Sequence, residues 1–241
     1  MKIGYTLAEV LITLGIIGVI SAMTIPSMVN NVQNQVCAKA LSATISDFET
    51  GMSILLAKEN VFSLRDTEAW SGQNTMNIDS SDAIIERFSR NVGFLKPIDQ
   101  DYERFYGAPV KGINGEESSL LEDFIPFEIS NGAVAFMIIG QYLDGDEVTI
   151  LRSGGNLSKV AATVFIDVNG KKKPNIIGRD IFAFLLGTDA KLYPYGGKDA
   201  TVYSGNNSLA WQTQCSDNGA KGAEGMFCTA RLIENGYKMD Y

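Results

Sequence analysis

Glu9 is the residue with the clearest chemical demand. It stands just before a run from Val10 to Ile25 that contains no charged side chain. A carboxylate placed in a membrane-spanning helix costs about 2.5–3.5 kcal/mol even on lenient insertion scales, so it needs a partner or a shallow position. A place in the first helical turn helps, because the positive end of the helix dipole favours an anion there. Beyond Lys2, nothing basic lies nearby in the chain. A cut after Gly4 would change this: the new α-amino group on Tyr5 would be largely cationic at neutral pH. A neighbouring copy could then bring that amine to Glu9.

Other chemistry is thinly represented. The chain has no histidine. That removes Ser-His and Cys-His catalysis, the commonest general base near neutrality and the commonest zinc ligand. No G-x-S-x-G, phosphate-binding loop or metal-ligand cluster is present, so no catalytic residue, metal site or cofactor is expected. The close acids Glu116-Glu117 and Glu122-Asp123 read as solvated charges on a polar segment. Asp167-Val168-Asn169-Gly170 has the spacing that opens a calcium loop. The closing glutamate is missing and Lys171, Lys172 and Lys173 oppose a cation, so a structural hairpin is the preferred reading.

A net charge of −8 argues against a nucleic-acid partner. Of the three cysteines, Cys215 and Cys228 lie close together in a Gly-rich segment and are expected to pair. This leaves Cys37 as a free thiol on a helix.

These residues must be held by elements that the periodicity suggests. Tyr5 to Met28, as a helix, would span roughly 36 Å at about 1.5 Å per residue, enough to cross a bilayer core. A secretory signal peptide would want a short-side-chain cleavage site after its core, and Ile20 to Thr24 is a poor one. A plain signal anchor needs no cleavage and is the stronger rival. After Pro26, which kinks a membrane helix rather than ending it, an apolar stripe continues. It comprises Val29, Val32, Val36, Ala40, Leu41, Ile45, Phe48, Met52 and Leu55, on a helix reaching about Asn60.

Further along, Ser81-Asp82 can cap a short helix ending at Gly93. The sheet is expected to begin at Phe127, with Asn131-Gly132 as a two-residue type I′ turn. Strands follow at 133–140, 147–151, 160–168 and 181–186, with gaps too short for crossover helices, so they pair antiparallel. From Gly187 the chain reads as loop; Tyr193, Tyr195, Tyr203 and Trp211 could form an aromatic surface for a sugar or partner protein, but packing beneath the loop is the preferred reading. A short helix over 226–235 stops at Gly236. The fold class is therefore α+β, with a long N-terminal helix, membrane-spanning in its first half, laid on an antiparallel sheet.

Gly4, an aromatic, then Thr6-Leu7-Ala8-Glu9 and an apolar run ending at Pro26 resemble the N-terminus of the type IV pilin family, which includes the pseudopilins of type II secretion. Tyr5 stands where that family usually has phenylalanine. The resemblance implies cleavage between Gly4 and Tyr5 by a prepilin peptidase and N-methylation of Tyr5. Glu9 would be the assembly glutamate and Pro26 the kinking proline. The implied division is a leader at 1–4, an assembly helix at 5–28, its amphipathic continuation at 29–60 and an extracytoplasmic pilin-like domain at 61–241.

Implied partners are the peptidase, other pilin or pseudopilin subunits and an inner-membrane assembly platform. The implied location is a single pass of the cytoplasmic membrane, then a filament. The Cys215–Cys228 pair also resembles the disulfide-bounded C-terminal loop of many type IV pilins. The Asp-x-Asn-Gly…Pro-Asn…Gly-x-Asp-Ile-Phe pattern of 167–182 looks like one found in the globular halves of pilin-like proteins. The function so implied is a structural subunit of a pilus or pseudopilus. An adhesin-like module using the Cys215–Cys228 region, or a membrane-anchored enzyme, are the alternatives.

Overall fold

A computed structural model describes residues 6–70, 87, 90–98, 105–107, 109–122, 124–139, 147–151, 157–158, 160–204, 207–209, 211–215 and 224–241. Gly4, Tyr5 and nearly all of the helix expected to start at Ser81-Asp82 lie outside them. The first described element is α1, Leu7–Glu59, which passes through Pro26 without a break. The chain forms two compact units, Met1–Val36 and Cys37–Tyr241.

In the first unit the helix is long and apolar enough to cross a membrane, and none of its most apolar stretch is buried. Leu7, Leu11, Ile12, Leu14, Ile16 and Ile17 are each more than half exposed. Thr13, Thr24 and Ser27 turn their hydroxyls back onto the carbonyls of Val10, Ile20 and Thr24. Their donors are thus satisfied inside the helix, as an apolar surrounding requires.

In the second unit Ala38, Leu41, Phe48, Met52 and Leu55 of α1 are buried against a six-stranded antiparallel sheet. Val29, Val32 and Val36 share the sequence stripe but remain about half exposed or more. The stripe is therefore buried only from Leu41 onward. The sheet has the order β1-β2-β3-β6-β7-β8, formed by β1 (Leu95–Pro97), β2 (Ile125–Ile129), β3 (Val134–Ile139), β6 (Val160–Asp167), β7 (Ile181–Gly187) and β8 (Leu192–Pro194). The strands β4 (Glu147–Leu151), β5 (Leu157–Ser158), β9 (Ala200–Ser204) and β10 (Asn207–Leu209) make a second, four-stranded sheet.

The central strands are buried on both faces. Phe182, Phe184 and Leu186 of β7 face the α1 side. Ile181, Ala183 and Leu185 face a second core with Phe105, Val110, Tyr195 and Phe227. Alternate residues of a strand point to opposite faces, so two cores require the uninterrupted apolar runs seen here.

Three sequence expectations are corrected. The six-stranded sheet starts at Leu95, not Phe127. The segment after Gly187 contains β8, β9 and β10 rather than loop alone. At Asn131-Gly132 the amide of Gly132 donates to Ile129 O and only Gly132 takes a positive φ, +87°. A type I′ turn needs positive φ at both central residues; a four-residue turn closed by a left-handed glycine is the three-residue hairpin loop instead. The longer loop lets Asn131 Nδ2 donate to Thr44 and Asp47 of α1, 3.0 and 3.1 Å away. Of the aromatics expected to pack beneath this segment, Tyr195 is buried and meets Phe227 edge-on, Tyr193 and Trp211 are only partly buried, and the side chain of Tyr203 lies outside the described residues. The terminal helix is α3, Cys228–Glu234, preceded by a one-turn α2, Trp211–Gln214, and Gly236 follows at φ +65°.

Candidate functional site: the mouth of the apolar helix

Thr6 and Glu9 form a closed pair at the start of α1. Thr6 N–H donates to Glu9 Oε2 at 2.8 Å, and Thr6 Oγ1 donates to the same oxygen at 2.9 Å. In return Glu9 N–H reaches Thr6 Oγ1 at 3.3 Å, and Thr6 O accepts from Val10 N. This is a capping box: a Thr N-cap and an acid three residues later satisfy amides that the first turn leaves without intrahelical partners. Both side-chain bonds of the carboxylate land on Oε2, and the residue is exposed. Thr6 belongs to the Thr6-Leu7-Ala8-Glu9 motif singled out in the sequence, but its part as a helix cap was missed there, although T-x-x-E before an apolar run is the signature of one. The cleavage and methylation positions Gly4 and Tyr5 are outside the described residues. Pro26 lies seventeen residues beyond Glu9 on the same helix.

The other singled-out residues lie in the globular unit. Cys215 and Cys228 are bonded, with Cα atoms 4.7 Å apart, and tie the end of α2 to the start of α3. Cross-linking a short loop stabilises by roughly 3 kcal/mol in the chain-entropy model. Cys37 is a free thiol, half-buried. Burial, with Asp180 and Asp167 nearby, pushes it up to about 11.

The Asp167–Asp180 turn joins the two central strands β6 and β7. Asp167 Oδ1 accepts from Asn169 N (2.9 Å) and Gly170 N (2.8 Å), while Tyr106 Oη sits on its Oδ2 at 2.5 Å. Asp180 Oδ1 accepts from Ile176 N; its Oδ2 accepts from Asn175 N and Asn169 Nδ2. The carboxylates are thus occupied in stapling the turn, which fits the hairpin reading. Nothing local in the sequence pointed to Tyr106, sixty-one residues from its partner.

Glu116, Glu117 and Glu122 are exposed on a polar segment. Among the described residues no three His, Cys, Asp or Glu side chains cluster in a way that could hold a metal. Comparison of the chain with models of known families, with curated proteins and with solved structures finds no match.

Proposed function

We propose that this protein is a prepilin-like structural subunit, cut between Gly4 and Tyr5 and assembled with other subunits through its apolar helix. The observation that supports this most is Glu9: one acid at the mouth of an otherwise uncharged span, held by donors from its own first turn. In a lone chain the capping box shelters the carboxylate at the start of the helix. Its Oε1 remains open to a cation, and the α-amine of Tyr5 on a neighbouring subunit supplies one. Pairing one charge per subunit sets the depth at which helices add, because any other register leaves a carboxylate in hydrocarbon without a counter-charge. The globular unit, with its own core and disulfide, rides outside the membrane, where disulfides persist.

The experiment is the mass and N-terminal sequence of the protein from cells carrying their own prepilin peptidase. A chain starting at Tyr5 with one added methyl is expected. A chain still starting at Met1, where other prepilins mature, overturns the reading.

A further inference from the structure

Asp167 and Asp180 are both completely buried, and one residue links them: Asn169 gives its backbone N–H to Asp167 and its side-chain Nδ2 to Asp180. Two buried carboxylates this closely joined repel, and each charge loses its hydration, so the pair favours holding a proton between them. The bonding pattern says where that proton sits. Asp167 Oδ1 and both oxygens of Asp180 face only N–H donors. An N–H cannot accept, so a proton on any of those oxygens would point at another donor. Asp167 Oδ2 alone faces a hydroxyl, that of Tyr106, which can turn from donor to acceptor.

We propose that the turn between β6 and β7 is a one-proton latch, with the proton on Asp167 Oδ2 donating to Tyr106 Oη and Asp180 carrying the charge. Burial first, then the charge of Asp180, pushes the Asp167 carboxyl up to about 8, while its hydrogen bonds pull the other way. Burial raises Asp180 too, against the three N–H donors that favour its charge.

The groups around the latch come from several elements. Tyr106 stacks on Phe136 of β3, and Cys37 of α1 feels both acids. Lys171 lies 4.8 Å from the centre of the Phe105 ring, and Tyr241 donates to Gly178 O with Arg179 and Arg231 nearby. Raising the pH sends the proton to solvent and leaves two anions sharing Asn169. Asp167 binds its proton more tightly folded than unfolded, so its stabilising contribution is complete below about 3.9 and is lost as pH rises through about 8.

Infrared titration of the full chain in detergent tests this. The carbonyl stretch of a protonated carboxylic acid is expected at about pH 6, where exposed acids are ionised. It should vanish on titration through about 8, be missing in Asp167→Asn and change frequency in Tyr106→Phe. The urea midpoint of the wild type should fall between about pH 4 and about pH 8 and level off above that, and that of Asp167→Asn should not show this fall. The proposal is overturned by the absence of the band in wild type, or by a band that survives Asp167→Asn. A band indifferent to Tyr106→Phe also overturns it, and that variant serves if Asp167→Asn does not fold.

Discussion

The two units of this chain satisfy their carboxylates in opposite ways. Residues 7–36 leave their side chains exposed and contain one charge, satisfied by its own helix turn. Residues 37–241 include two buried acids, Asp167 and Asp180, which draw donors from several segments. The lesson concerns where each charge can find a replacement partner. Glu9 is surrounded by space that another chain can enter, whereas the acids of the turn are enclosed and answer only to protons.

The sharpest way to break this contrast is at the two acids themselves. Under the proposed function, Glu9→Ala leaves membrane insertion intact and abolishes incorporation into filaments; normal filament content in that mutant would remove Glu9 from the assembly mechanism. Asp180→Ala should act on the fold instead, leaving Asn175 N, Ile176 N and Asn169 Nδ2 without their acceptor inside the unit. Deleting one member of a buried, hydrogen-bonded network costs about 3–5 kcal/mol, which the urea midpoint of the detergent-solubilised chain would register. A loss below about 1 kcal/mol would mean the turn is not a closed network.

Glycine offers a matched comparison. A Cβ on Gly51 would stand 2.3 Å from the Phe94 ring, whereas one on Gly15 meets nothing within 4 Å. Gly51→Ala should therefore cost about 1–3 kcal/mol through overpacking, while Gly15→Ala gains up to about 1 kcal/mol of helix propensity. Equal effects on thermal stability would show that α1 is not clamped at Gly51. The smallest effect is expected from Thr6→Ala, which removes the hydroxyl from the capping box and costs about 1 kcal/mol of local helix stability. Faster hydrogen exchange confined to the first turn is its signature, and unchanged exchange there would discount the cap. Cys37, with its thiol at about 11, should react with maleimide at neutral pH far more slowly than an exposed cysteine; rapid labelling would contradict its half-buried place.

How far these arrangements were legible in the sequence follows from where their causes lie. α1 could be read because both its apolar run and its stripe repeat locally, and β6 and β7 because both of their faces are apolar. The edge strands β1 and β8 could not. Leu95-Lys96-Pro97 and Leu192-Tyr193-Pro194 are three residues each and contain proline, which argues against a strand until a neighbour is seen to pair with it. The capping box of Thr6 and Glu9 was legible as a spacing. The meeting of Tyr106 with Asp167 was not, since it depends on how distant segments pack.

Those two prolines have a consequence of their own. A three-residue edge with no N–H at its last position gives a passing strand almost nothing to zip onto. The six-stranded sheet is finished at both sides, so copies of this domain crowded together would resist pairing through the edges of that sheet.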